Sequence, residues 1–420
     1  MLIVPGPENT LNLGGDASSL LTDGRTVLYA APVSLDEPEV EKTILALLAD
    51  EPTSVPAPFY FLVLEKDRSA VTLVTDLHGE SALVYSSGGI DTRDSTLASC
   101  YDSEYLSDLT TGMSDCSGKR LQFIAPGRSV FRCVEGQVVL TEHKPPVLVP
   151  LMSSDSEPAV MLIASLENAL LLELRGASQV AVLLSGGVDS ALIGYALLGL
   201  VHRGALPELS VTLANVSFGA ESPDRTAFET LRADAEPRLG GSWVSIDVSS
   251  DEFLAALPRV ARATWPCSST VMAMNLASVW YHAIRGANSP IVLSGLGPDE
   301  YCGAYARARA STAWKDAIRA ARAGLFERNI RRDAGVAAAL GVWLRYPLLT
   351  YSVASLFAGL LETDPAQLQD KRVVRDAARL MGVPESIAAR PKRAAQFGSG
   401  CARILRGDGY ELVAPALLRE

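Results

Sequence analysis

The run Gln179-Val180-Ala181-Val182-Leu183-Leu184-Ser185-Gly186-Gly187-Val188-Asp189-Ser190, continued by Ala191-Leu192-Ile193, decides the fold. Val180 to Leu184 is an unbroken apolar run, as in a strand buried on both faces. A glycine pair interrupts it and a helix begins. Two glycines let the backbone approach an anion closely and take up conformations other residues avoid. The new helix offers unpaired N–H groups and the positive end of its dipole, which suits phosphate. Ser185 and Ser190 add hydroxyl donors. Asp189 would be repelled by bare phosphate, so its presence points to Mg²⁺ between it and pyrophosphate oxygens. A simple helix cap at Asp189 is the competing reading, and it leaves the glycine pair without a purpose.

Outward from this loop, strands alternate with helices. A helix over about Ala159 to Leu174 precedes it, and one over Ala191 to Val201 follows. Then come strand LSVTLANV, helix Asp224 to Leu239, strand SWVSIDVS, helices Asp251 to Ala263 and Ser269 to Arg285, and strand PIVLSG. That alternation predicts an α/β fold with a doubly wound parallel sheet covered on both faces. Beyond Gly303 the chain reads as mostly helical.

Upstream, Glu142 to Pro158 (EHKPPVLVPLMSSDSEP) is rich in Pro, Ser and acids and reads as a linker. It divides the chain into expected domains 1–150 and 159–420. The first is sheet-rich, with short runs at Thr26 to Ala31, Phe59 to Glu65, Ala70 to Asp76, Ala82 to Ser86 and Arg128 to Thr141. A hairpin is expected at Glu135-Gly136 and one helix at Glu37 to Leu48.

Composition excludes several function classes. The 420 residues carry 37 Lys and Arg against 48 Asp and Glu, a net charge of −11. Nucleic acid is therefore an unlikely partner, since a phosphate backbone needs cationic neutralisation. The densest basic run, Arg319 to Arg332, reads as a solvated helix face. The six cysteines (Cys100, Cys116, Cys133, Cys267, Cys302, Cys401) are scattered without C-x-x-C spacing, as expected of reduced thiols in a cytoplasmic protein. No signal peptide and no run of about 20 apolar residues is evident, so no membrane span is expected.

A second loop follows PIVLSG: Leu296-Gly297-Pro298-Asp299-Glu300, then Tyr301 to Tyr305. In a doubly wound sheet it shares the carboxyl edge with the first loop, so Asp299 could reach the same Mg²⁺ and pyrophosphate. A turn-satisfied aspartate is the alternative.

SGGVDS after an apolar strand resembles the signature of PP-loop ATP pyrophosphatases, which cleave ATP between the α and β phosphates. The G-x-x-x-x-G-K-[ST] loop of the other large nucleotide-binding class is absent. Together with GLGPDE the motif resembles the synthetase domain of asparagine and β-lactam synthetases. ANVSFGAESPDR, GLGPDEYCGAYARAR, RRDAGVAAALGVWLRYPLL and PKRAAQFGS bring it closest to the asparagine synthetase domain-containing proteins. The resemblance implies ATP-dependent adenylation of a small-molecule carboxylate and transfer to an amine or ammonia, and often a homodimer or protein partner. It implies Asp189 and Asp299 on Mg²⁺, and Ser185, Gly186, Gly187, Ser190 and Lys392 on pyrophosphate, with Arg393 an alternative to Lys392. Leu183, Ser294 and Gly295 would line the adenine and ribose pocket, and Val188 and Val216 would also belong to the nucleotide site. The catalytic set would be Asp189, Asp299 and Lys392.

VTLVTDLHGESALVYS and IAPGRSVFRCVEG resemble the glutaminase half of the same family, an N-terminal-nucleophile α-β-β-α sandwich. That family opens its mature chain with a Cys activated by its own amine. Leu2 stands there, so glutamine hydrolysis is expected to be absent. The synthetase half departs too. Leu296 replaces the first acid of the family loop G-E-G-S-D-E. Trp343 and Thr350 replace both acids of G-x-E-A-R-x-P-F-L-D, while Arg345 and Pro347 persist, and Tyr305 remains where β-lactam synthetases pair a Tyr with a Glu. An enzyme activating carboxylates and a nucleotide-binding pseudoenzyme are both compatible with this pattern. A PP-loop enzyme acting on tRNA is a third reading, disfavoured by the acidic balance.

Overall fold

The computed structural model describes residues 156–219, 222–264, 271–304 and 313–404 of the second half. Of the first half it describes residues 122–151 and, before them, eight strands with residues 65, 67–69, 77 and 78. Leu2, the helix expected at Glu37 to Leu48, and Tyr305 lie outside these residues.

The first half holds two antiparallel sheets. One has the order β2-β1-β8-β7-β9, from β1 (Ile3–Pro5), β2 (Leu11–Leu13), β7 (Leu83–Ser86), β8 (Gly89–Thr92) and β9 (Gln122–Phe123). The other has the order β11-β10-β6-β5-β4-β3, from β3 (Ser19–Thr22), β4 (Arg25–Ala30), β5 (Tyr60–Leu64), β6 (Ala70–Thr75), β10 (Arg128–Val134) and β11 (Gln137–Lys144). Ile90 of the first sheet is buried in one core with Leu62, Leu73 and Phe131 of the second, so the sheets stack face to face. The turn between β10 and β11 is Glu135-Gly136, as expected. Both residues have positive φ, 51° and 72°, the twist a two-residue hairpin needs.

The second half is a five-stranded, wholly parallel sheet of order β14-β13-β12-β15-β16. Its strands are β12 (Gln179–Leu183), β13 (Ser210–Ser217), β14 (Ser242–Asp247), β15 (Ile291–Leu293) and β16 (Trp343–Arg345). The helices are α1 (Pro158–Glu173), α2 (Val188–His202), α3 (Pro223–Leu239), α4 (Ser250–Thr264), α5 (Val271–Ala287), α6 (Pro298–Tyr301), α7 (Trp314–Ala323), α8 (Arg331–Ala339), α9 (Tyr351–Thr363), α10 (Arg372–Leu380), α11 (Glu385–Ala388) and α12 (Ala395–Gly398). The chain winds outward from β12 through β13 to β14. It then returns to the other side of β12 for β15 and β16. The switch point therefore lies between β12 and β15, and the SGGVDS and GLGPDE loops leave adjacent strands there.

α2 is buried at every residue from Ser190 to Leu200, because α1, α3 and α10 all pack on it. Beyond Gly303 the described residues are mostly helical, as expected, with the short strand β16 added. Three residues are too few to show a strand period, and β16 exists because β15 offers it an edge. The linker expectation is also sharpened. The backbone N–H of Val149 donates to the Tyr351 hydroxyl at 3.0 Å and that of Leu151 to the Ser355 carbonyl at 2.9 Å, tying this stretch to α9.

Candidate active site

At the switch point a cavity of about 670 Å³ opens between the two loops. Leu183, Ser185, Asp189, Ser190, Val216, Ser294, Gly295, Asp299 and Lys392 all line it. Nine residues expected from four separated segments thus share one wall. Gly186, Gly187 and Val188 do not line the cavity. Gly186 instead lets the loop turn against α3. Its φ is +68°, and a Cβ there would lie 2.4 Å from the Ala227 Cβ. The first intrahelical bond of α2 runs from Ala191 N–H to the Gly187 carbonyl, and no side chain caps the helix. The amides of Val188, Asp189 and Ser190 therefore precede the helical ladder, the arrangement that receives anions.

The second loop approaches so closely that Gly295 has to be glycine. A Cβ at this position would sit 2.8 Å from the Ser190 amide nitrogen. This contact brings the carboxylates together around a lysine the motifs did not reveal. Lys371 Nζ lies 2.5 Å from Asp189 Oδ2 and 2.5 Å from Asp299 Oδ1, and Lys392 Nζ pairs with Asp299 Oδ2. Lys371 is 3% exposed. Its signal in the sequence, one of three basic residues in QDKRVVRD, is no different from a solvated one.

Burial raises the Asp189 carboxyl, and the neighbouring Asp299 adds to this, although Lys371 opposes it. Burial acts on Asp299 in the same sense, but Lys371 and Lys392 together outweigh it and hold this carboxyl well below the usual range. Burial disfavours charge on Lys371, yet its two carboxylates prevail and keep it an ammonium. Two carboxylates and two ammoniums therefore cancel. Asp189 Oδ1 is buried without a hydrogen-bond partner among the described residues, an oxygen available to a hard cation. The donor set thus fits Mg²⁺ in the company of phosphate.

Of the alternatives left open, Lys392 reaches Asp299 and the cavity. Arg393 does not line it and acts as a nearby charge on Asp224. Arg390 braces the loop from behind, donating to the Ser185 and Pro223 carbonyls and to Asp224 Oδ1 at 3.3, 2.9 and 3.0 Å. Two further wall residues were not expected. Asn215 Nδ2 donates to the Leu184 carbonyl at 2.6 Å, and among the described residues neither Asn215 Oδ1 nor Gln396 Oε1 has a hydrogen-bond partner. Both acceptors are suited to N–H donors of a ligand.

The three missing acids fall in different places. Leu296 lines the cavity. Trp343 is 46% exposed at the amino end of β16 and is not on the wall. Thr350 stands at the head of α9, its hydroxyl donating to the Pro347 carbonyl at 3.1 Å. Only the first substitution alters the cavity. The basic run Arg319 to Arg332 is largely paired: Arg319 with Asp316 and Glu362, Arg331 with Glu327, and Arg332 with the buried Asp333. Cys133, Cys302 and Cys401 are free and buried. No cluster of three or more His, Cys, Asp and Glu placed to hold a metal occurs among the described residues, nor any helix long and apolar enough to cross a membrane.

Residues 161–339 match the asparagine synthase family. Over that stretch, less than half of its length, the chain is similar to an asparagine synthase domain. It is similar to an asparagine synthetase domain-containing protein of Saccharomyces cerevisiae, 28% identical over 264 residues, 55% of this chain and 49% of the relative. It is also similar to a putative glutamine-hydrolyzing asparagine synthetase of Methanocaldococcus jannaschii, 25% identical over 399 residues, 83% of this chain and 70% of that protein. The chain thus spans about half the length of the yeast relative. An NAD⁺ synthetase of Burkholderia pseudomallei overlaps 63% of this chain and 88% of its own, at 18% identity and a TM-score of 0.33. The synthetase-like domain contains both phosphate-loop strands and all of α8, while Lys371 and Lys392 lie beyond the matched residues.

Proposed function

We propose that this protein is an AMP-forming ligase that activates a small-molecule carboxylate with ATP and passes the acyl group to ammonia or an amine. The observation that carries the reading is the convergence of Asp189, Asp299, Lys371 and Lys392 beside the SGGVDS loop. Asp189 Oδ1 and the Asp299 carboxylate would hold Mg²⁺, which when bound neutralises phosphate charge. The loop amides and the Ser185 and Ser190 hydroxyls would hold the β and γ phosphates. Leu183, Val216, Ser294 and Gly295 would pack on the nucleoside. A substrate carboxylate oxygen then attacks the α phosphorus as the bond to the β-phosphate oxygen breaks. Lys371 and Lys392 take up the charge of the departing pyrophosphate. The amine nitrogen attacks the acyl carbon, and AMP leaves. Adenylation relies on positioning and charge neutralisation more than on a base, so it tolerates Leu296 on the wall, whereas the transfer step, in which the attacking amine must shed a proton, lacks the acid that Leu296 replaces.

The deciding experiment is pyrophosphate release across a panel of amino acids and acyl donors with Mg²⁺, using Asp189→Ala as control. Release that depends on one substrate and vanishes in the control supports the ligase. Asparagine formation from aspartate is the first case to try, with ammonium and glutamine compared as nitrogen sources; ammonium alone is expected to serve. Leu296 favours a second reading, a protein that binds nucleotide without turnover. Its mark is a rise in melting temperature with ATP and no pyrophosphate from any substrate.

A further inference from the structure

His78 belongs to the first half of the chain, and its partners belong to the second. The ring is 8% exposed. Its Nε2 lies 3.4 Å from the Tyr301 hydroxyl, and the two rings meet edge to face at 6.1 Å. The ring also makes a hydrogen bond to the backbone of Leu349. Burial holds the imidazole neutral, pushing its pKa down to about 3. A neutral ring that donates to the Leu349 carbonyl through one nitrogen has an acceptor left for Tyr301 on the other. Tyr301 is buried, is bonded by the Arg322 side chain, and carries that guanidinium 4.7 Å from its ring centroid.

These contacts matter because of where they land. Tyr301 closes α6, the single helical turn that starts at Pro298 and carries Asp299. Leu349 packs on the other flank of the same loop. A Cβ at Gly297 would meet Leu349 Cδ2 at 2.7 Å and the Leu348 carbonyl at 3.1 Å. His78 therefore touches both walls between which the Asp299 loop is held. A four-residue helix has little stability of its own and depends on such supports.

We infer that His78 is a positioning residue: the first half clamps the Asp299 loop through the His78–Tyr301 and His78–Leu349 contacts and so sets the nucleotide affinity of the second half. This gives the sheet-rich half a role that does not depend on hydrolysing glutamine. It rests on the nucleotide reading above.

The test is binding of α,β-methylene-ATP with Mn²⁺ to the full chain by calorimetry, which reads affinity and stoichiometry separately. His78→Ala raises Kd about tenfold at unchanged stoichiometry, the size expected for a lost buried hydrogen bond. His78→Asn, whose amide can donate to Leu349, recovers much of that loss. Tyr301→Phe keeps the ring and removes only the hydroxyl, so it serves where His78→Ala does not fold, and it raises Kd in the same direction. An unaltered Kd in these variants overturns the inference. So does a fall in stoichiometry at constant Kd, which marks His78 as a folding residue only. If the unsubstituted protein binds no analogue, the nucleotide reading falls and the clamp falls with it.

Discussion

Lys371 is the residue on which the electrostatics of the cavity turn. It bridges two carboxylates from different loops, and the backbone at Asp370 and Lys371 is left-handed in succession, with φ of 49° and 59°. Non-glycine residues in that region cost about 1–3 kcal/mol each and persist only where their surroundings hold them. The pairs of Lys371 with Asp189 and Asp299 are such a restraint. Lys371→Met is expected to slow pyrophosphate release by about a hundredfold, the scale of removing one pre-organised charge-stabilising donor. Lys371→Arg does not rescue it, because a planar guanidinium cannot occupy the position of a compact ammonium between two carboxylates. Steady-state kinetics with unchanged circular dichroism checks both. Because the four charges cancel, Mn²⁺ alone binds far more weakly than Mn²⁺ with α,β-methylene-ATP, which electron paramagnetic resonance measures directly. Equal affinity in the two cases removes the charge argument.

At the scale of elements, the site is two loops on adjacent strands pressed together until only glycine fits between them. Gly295→Ala would place a methyl group 2.8 Å from the Ser190 amide nitrogen, at the head of α2. One loop has to retreat, separating Asp299 from Asp189. Loss of nucleotide binding with a modest fall in melting temperature is expected, and calorimetry beside thermal denaturation checks it. Sequence reading went far here because the loops announce themselves. Glycine pairs between an apolar strand and an apolar helix have few other uses, and the alternation of apolar runs with helical stretches placed β12, β13, β14 and α1 to α5 near their observed limits. It failed where structure depends on a distant partner. β16 is three residues that become a strand because β15 is beside them. Lys371 and Asn215 carry no local mark, since what defines them is burial against residues 182 and 31 positions away. Trp343 looked like a lost site residue because it replaces an acid in a motif, but it stands at the amino end of its strand, away from the cavity.

Across the molecule, the buried pair of Glu173 and Arg345 links the first helix of the second half to its last strand. Arg345 donates to the Glu173 backbone carbonyl, yet both carboxylate oxygens of Glu173 are without a hydrogen-bond partner among the described residues, and the side chain is 1% exposed. Burial pushes its carboxyl up to about 8 from an ordinary 4.5, with Arg345 offsetting only part of the effect. Between those values the folded chain holds a proton that the unfolded chain has lost, so stability falls as pH rises. Three other buried groups act in lower windows. Asp333, raised to about 6 by burial despite Arg332, also weakens the fold as pH rises, but only up to that value. His78 and His282, lowered by burial to about 3 and about 4, act in the opposite sense: the unfolded rings take up protons below about 6.5, so stability is lost as pH falls from there. From about pH 6.5 to 8, Glu173 is the one of these four still titrating. Denaturant unfolding should therefore show stability declining across that window by up to about 1.4 kcal/mol per pH unit, the limit for one proton. Glu173→Gln keeps the shape and the backbone carbonyl that Arg345 bonds, and removes the titration. The decline should vanish in this variant while the loss below pH 6.5 remains. A decline that persists unchanged in Glu173→Gln would place the responsible proton elsewhere and leave the buried pair as packing alone.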